Sequence, residues 1–203
     1  MIINLENLCK NITPCFGQSY MKRCDWAKGE PSISYHDNEW GRPVHDDKKL
    51  FEFLILEGAQ AGLSWVTILK RREGYRNAFS NFDPNKVAKF DDRKILKLLT
   101  DESIIRNKLK IASVVNNAKQ FLKVQKEFGS FDAYLWKFVD YKPIKNKFKN
   151  YSDIPTSTSI SEKLSKDLKN RGFTFVGPTI CYALMQAIGM VNDHTYGCFL
   201  FQK

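Results

Sequence analysis

Four side chains able to bind a borderline-soft divalent metal stand near the two ends of the chain, as Cys24-x11-His36 and His194-x3-Cys198. Two thiolates and two imidazoles are a donor set that zinc takes in a closed tetrahedral site with no position left for water or substrate, so a metal held there would fasten structure and perform no chemistry. One helical turn or a tight loop serves the second pair, whereas the first needs a folded loop to bring its ligands together. Taken pair by pair, reduced core cysteines and surface histidines account for the same residues.

Glu57 is a second candidate. It closes the apolar run Phe51 to Leu56 and is followed by glycine, Gln60 and Trp65. Burial would raise its pKa, while hydrogen bonds or a nearby cation would hold it ionised. A glutamate at a helix end facing water is the plain alternative. Trp26, Tyr35, Trp40 and Trp65 concentrate aromatic faces in the same third of the chain, either as core or as a box that stacks on a flat or cationic ligand. A third candidate is the glycine-bounded stretch Gly172-Phe-Thr-Phe-Val-Gly177 between two helical patterns. Backbone amides beside a helix start form a cradle for a phosphate, although an ordinary helical hairpin reads the same way.

Composition narrows the classes that these groups could serve. The 203 residues carry 32 Lys and Arg against 22 Asp and Glu, a net charge of +10, and such a surface attracts polyanions, with nucleic acid the economical partner. Five cysteines, an odd number in a chain too large to need a disulfide framework, fit a reducing cytoplasm. Neither a secretory leader nor an apolar run of membrane-spanning length is present, so a cytoplasmic protein is expected. Residues 1–21 show no periodicity and are read as an N-terminal extension in which Cys9 and Cys15 bind nothing.

The elements that must position the candidates are helical. The pattern predicts a helix from Asp46-Asp47, apolar nearly all round and interrupted by Gly58 and Gly62, then another beginning beyond Trp65. Further helices are expected at about 75–81, at 91–100, and from Ser103 to Phe128 with Gly129 as its stop. Ser161 to Arg171 reads as a helix ended by Gly172, and Pro178 opens the next, where a proline costs no hydrogen bond. No alternating strand pattern exceeds a few residues, and the fold class is all-α, with 22–203 as one domain.

Cys24-Asp-Trp26, Tyr35-His-Asp-Asn-Glu-Trp-Gly41, Leu56-Glu-Gly-Ala-Gln-Ala-Gly-Leu-Ser-Trp65, Ile154-Pro-Thr-Ser-Thr158, and Arg171-Gly-Phe-Thr-Phe-Val-Gly-Pro-Thr-Ile-Cys-Tyr182 through His194 resemble the 3-methyladenine DNA glycosylase I family. That resemblance implies a helix-hairpin-helix glycosylase fold whose termini are joined by a zinc snap, with Cys24, His36, His194 and Cys198 as the ligands of one structural ion. It implies hydrolysis of the N-glycosidic bond of N3-methyladenine in double-stranded DNA. Glu57 would then hydrogen-bond the base, Trp65 and Tyr35 would stack on it, and Trp26, Trp40 and Gln60 would complete the pocket. Leu63 would fill the gap left in the duplex, and Gly172, Phe173, Gly177 and Thr179 would hold the DNA from the hairpin.

Bifunctional relatives place a lysine just after the second hairpin glycine, where Pro178-Thr179 stands here, so hydrolysis without strand cleavage is expected. Asp193, beside His194, is read as support for the metal rather than as a catalytic acid. One departure from the family pattern is a stretch between Cys24 and His36 one residue shorter, with Ser32 and Ser34 where a further tyrosine would sit. The chief competing reading is a non-enzymatic, zinc-stabilised DNA-binding module. A catalytic zinc hydrolase would want an open three-ligand site and a motif such as H-E-x-x-H, and the sequence has neither. A monomer suffices for an enzyme that scans DNA.

Overall fold

The computed structural model describes residues 21–201, so the extension and its Cys9 and Cys15 lie outside the described residues. Helices dominate: α1 (Ser32–Asn38), α2 (Asp47–Gln60), α3 (Trp65–Ala78), α4 (Pro84–Val87), α5 (Asp92–Leu98), α6 (Lys108–Phe128), α7 (Phe131–Trp136), α8 (Ser159–Asn170) and α9 (Pro178–Ala187). Two two-residue strands, β1 (Ile144–Lys145) and β2 (Val191–Asn192), pair in parallel, Ile144 opposite Val191. The all-α expectation therefore holds, with this short bridge added.

Helix α2 is the axis of the core. Every residue from Leu50 to Ala59 is buried, as its all-round apolar pattern requires. α9, α3 and α6 pack around it, and α7 touches its start. Asp46 caps α2 by accepting from the amide of Lys49 at 2.8 Å. Asp47 caps α7 from outside, its carboxylate accepting from the amides of Phe131 and Asp132 at 2.8 Å each.

Several boundaries differ from expectation, each for a local reason. α2 runs through Gly58 rather than breaking there, because its burial in the core outweighs the roughly 1 kcal/mol that a helical glycine costs; Phe175 of the hairpin packs over it, 3.4 Å from where a Cβ would lie. The helix expected at 75–81 is the last turn of α3 followed by a 3-10 turn at Ser80–Phe82. α6 starts at Lys108, not Ser103, because Asp101 draws the amide and hydroxyl of Ser103 onto its carboxylate at 2.9 and 2.6 Å, a local turn that competes with helix. Asn107 then supplies the cap, accepting from the Lys110 amide at 3.0 Å.

Candidate active site and metal cluster

One turn after another, the helices aim their polar residues into a cavity of about 600 Å³. Its walls include Trp26, Ser32, Tyr35, Trp40, Glu57, Gln60 and Trp65, so all six side chains expected to read a base meet in one place. Helical spacing explains how. Ser32 and Tyr35 are one turn apart on α1, as are Glu57 and Gln60 on α2, while Ser64 starts α3 by accepting from the Thr67 amide and so fixes Trp65 in its first turn. Tyr35 meets Trp65 with ring centroids 5.3 Å apart and planes at 55°. Trp26 meets Trp40 edge to face at 5.0 Å.

Glu57 is buried, and its carboxylate makes no hydrogen bond or ion pair to the protein among the described residues. Burial alone pushes its carboxyl up to about 8. Beside it, burial and then the Glu57 charge push the Tyr35 hydroxyl well above its ordinary range. The indole Nε1 of Trp65 is also buried without a partner. An acceptor and a donor left unmatched at one pocket are what a site for a flat polar ligand shows, since buried polar groups are otherwise paired.

Apart from Thr179, expected at the DNA rather than in the pocket, the other wall was not anticipated from the sequence. Thr179, Tyr182, Ala183 and Gln186 line the cavity from α9, and Tyr151, Ser152, Ile154, Pro155 and Thr156 from the segment before α8. The steps of three, four and seven residues from Thr179 were a readable signal, because they place all four on one helical face.

Asp193 serves this wall and not the histidines. Its carboxylate accepts from Tyr182 Oη at 2.6 Å, Gln186 Nε2 at 2.8 Å and Asn146 Nδ2 at 2.6 Å. The reading of Asp193 as metal support is therefore corrected, and the acid that grips a histidine is Asp37, whose Oδ1 lies 2.8 Å from His36 Nδ1. Arg23 holds Asp37 in turn, at 2.7 to 2.9 Å, and keeps its carboxyl below the usual range.

Cys24, His36, His194 and Cys198 are all buried, with ligand atoms within 4.8 Å of one another. Cys24 Sγ and Cys198 Sγ each lie 3.5 Å from His194 Nδ1, and Cys198 Sγ lies 3.5 Å from His36 Nε2. A zinc tetrahedron with bonds of about 2.3 Å to sulfur and 2.0–2.1 Å to nitrogen has sulfur–nitrogen edges of about 3.6 Å, so the donor set fits that ion. Both rings keep their other nitrogen occupied, His36 on Asp37 and His194 Nε2 on the Trp40 carbonyl at 3.2 Å. Within the thiol pair Cys198 is the acidic member: its contact with Cys24, then those with both histidines, draw it far below the usual range, toward the thiolate that a metal binds. Trp40 packs edge-on against His194 at 4.7 Å, so cluster and pocket share a wall.

At the hairpin the amides divide. Gly172, with φ of +86°, ends α8 in a left-handed turn in which its own amide bonds the Lys169 carbonyl and that of Phe173 the Leu168 carbonyl. The Phe173 ring is in the core against Phe131, and the Thr174 amide bonds Asn117 Oδ1. These groups are committed to the fold. The amides of Phe175, Val176 and Gly177, and of Thr179 in the first turn of α9, have no protein partner among the described residues, so any anion cradle lies in this second half of the expected stretch. Leu63 stands exposed in the turn between α2 and α3.

Fold and pocket together are those of a helical DNA glycosylase: the chain superposes on a crystal structure of 3-methyladenine DNA glycosylase I with a TM-score of 0.86 and 49% identity, over 88% of this chain and 99% of that one. The family model for methyladenine glycosylases matches residues 26–201, and the chain belongs to that family. It is 51% identical over 179 residues to DNA-3-methyladenine glycosylase 1 of Escherichia coli (strain K12), covering 88% of this chain and 96% of that protein. A Staphylococcus aureus 3-methyladenine DNA glycosylase I, solved to explain its recognition of 3-methyladenine, matches with a TM-score of 0.87 and 38% identity over 90% of this chain and 98% of that one.

Proposed function

We propose that this protein excises N3-methyladenine from alkylated duplex DNA by hydrolysing the N-glycosidic bond of a nucleotide extruded into the pocket, and does not cut the strand. The observation that carries the reading is Glu57, a buried carboxylate with no protein partner on the wall of an aromatic cavity. A methylated adenine bears positive charge while joined to the sugar and is already a good leaving group. The enzyme therefore has to extrude the nucleotide, at a cost of a few kcal/mol, and favour the cationic base. Aromatic faces contribute cation–π attraction, on the order of 2 kcal/mol in a dry site. The cation in turn favours the ionised form of Glu57, whose oxygens accept from the base. Tyr35 and Trp65 touch at an angle, so the base lies in the corner they form, on the face of one ring and the edge of the other. Trp26, Trp40 and Gln60 close the sides.

When the bond from C1′ to N9 breaks, its electron pair goes to the base and neutralises it. Water adds at C1′ and gives up a proton to solvent. Asp193, through Tyr182 and Gln186, holds the α9 wall in position during this step. Among the described residues the cavity lining contains no lysine, which supports hydrolysis without an imine. Leu63 enters the duplex gap, and the amides of Phe175 to Gly177 with the start of α9 hold backbone phosphates.

Residues 22–203 act as one domain and as a monomer, in a reducing cytoplasm, on a helix-hairpin-helix scaffold. Cys24, His36, His194 and Cys198 hold one zinc ion, which when bound ties the chain ends together and takes no part in the reaction. No helix among the described residues is long and apolar enough to cross a membrane. Chromatography of bases released from N-methylated duplex DNA tests the activity: the wild type frees 3-methyladenine and Glu57→Gln is slowed. A folded wild type that binds DNA and releases nothing would favour the binding-module reading, and borohydride trapping of an enzyme–DNA adduct would overturn the hydrolytic one.

A further inference from the structure

The segment between the 3-10 turn after α7 and the pocket wall reads Lys142-Pro-Ile-Lys-Asn-Lys-Phe-Lys149, four lysines in eight residues. Exposure alternates along it. Ile144, Asn146 and Phe148 are partly buried, while Lys145, Lys147 and Lys149 are exposed. Alternation with period two puts the three lysines on one side of an extended chain at steps of about 6.6 Å.

The other side is anchored. The Ile144 amide bonds the Met190 carbonyl at 2.9 Å, the Asn146 amide bonds the Asn192 carbonyl at 3.1 Å, and the Phe148 carbonyl accepts from the Tyr196 amide at 2.9 Å. The Asn146 side chain reaches Asp193, which holds Tyr182 and Gln186 of the pocket wall. Two and three residues beyond Lys149, Tyr151 and Ser152 are themselves part of the cavity lining, with Tyr151 more than half exposed. Lys147 and Lys149 form no salt bridge among the described residues. Here a fixed extended strip of basic residues runs directly into the pocket wall.

We propose that Lys147 and Lys149 of this strip form a phosphate-binding strap that holds one strand of the duplex beside the extruded nucleotide, in addition to the contact made by the hairpin. Its partner is the DNA backbone, recognised by charge and not by sequence, and the idea rests on the glycosylase reading of the pocket. Rigid anchoring makes such a contact effective, because extended chain already held in place loses little freedom on binding.

The test is the salt dependence of duplex binding for Lys147→Gln/Lys149→Gln, with Lys89→Gln/Lys97→Gln as a control of equal charge loss on parts of the chain that contribute nothing to the pocket wall. Each lost phosphate contact flattens the plot of log K against log salt by about 0.9, so the strap variant should lose about 1.8 in slope, with damaged and undamaged duplex affected alike. Its affinity for free 3-methyladenine, read by tryptophan fluorescence, should be unchanged. A strap variant that keeps the wild-type slope, or a control that loses as much, overturns the strap while leaving the pocket reading intact. A wild type that neither binds nor releases 3-methyladenine would instead remove the glycosylase reading on which the strap depends.

Discussion

Glu57 in an empty pocket is mostly protonated near neutrality, because burial raises its pKa to about 8. Between the ordinary carboxylate value near 4.5 and that figure, the folded chain binds a proton that the unfolded chain does not. Glu57 therefore lets stability fall as pH rises through this window. Glu57→Gln should remove the penalty: between pH 5 and pH 9 its thermal midpoint should climb relative to that of wild type. A constant difference across that range would mean that Glu57 is not desolvated. The same carboxylate should make binding of a cationic methylated nucleoside tighten as pH rises toward 8 and beyond, a trend that titration by tryptophan fluorescence would find flattened in the variant. Glu57 was legible in the sequence because a charge ending an apolar run is anomalous. Asp37 was not, because Asp37 and Asp193 are equally close in sequence to a metal-type histidine and only the backbone decides which acid turns toward the ring.

At the scale of elements, the pocket exists because α1 is clamped to α2 and α3. Buried Arg72 of α3 donates to Glu52 of α2 at 2.6 Å and, with both terminal nitrogens, to Glu39 at the end of α1 at 2.8 Å. Arg76 adds a second bond to Glu52 at 2.8 Å. Replacing Arg72 by Met leaves buried Glu52 with Arg76 and Lys49 as its remaining cations, and losing the charged hydrogen bond costs about 1.5–3 kcal/mol. Denaturant unfolding should show that drop, and base affinity should weaken along with it, because Tyr35 and Trp40 flank Glu39. A cost below about 1 kcal/mol would mean that the network only decorates the surface. Gly189, at φ of +71°, is a second pinning point: a Cβ there would sit 2.3 Å from the Arg42 carbonyl carbon, so Gly189→Ala should lower the melting temperature sharply. The long helices were legible because α2 and α6 follow their apolar periods and α9 starts at its proline. α1 and α7 were not, since six or seven residues contain too few turns for a period to emerge, and the local Ser130 cap of α7, which accepts from the Ala133 amide at 3.0 Å, is completed by Asp47, far away in sequence.

Over the whole molecule, the cluster brings together side chains from near both ends of the described residues. Near it, the Phe199 amide bonds the Lys22 carbonyl at 2.9 Å, Arg23 pairs with Asp37, and Trp26 packs on Tyr35 and Trp40. Spacing could not reveal this meeting of the ends, because separation along the chain says nothing of distance in space; the family resemblance supplied it, and the sulfur–nitrogen edges of 3.5 Å agree. If zinc is the clasp, its binding free energy is part of the folding free energy, and removing it should act on stability first. Elemental analysis should find one zinc per chain. Chelation should lower the melting temperature, and the activity should fall in step with the folded fraction, because His36 and Trp40 belong to the same wall as the pocket. Cys198→Ala should reproduce the effect without chelator and make the midpoint insensitive to added zinc. A zinc-free protein that melts where the holoprotein does, yet no longer releases base, would contradict a structural clasp, for only a metal taking part in catalysis separates activity from stability in that way.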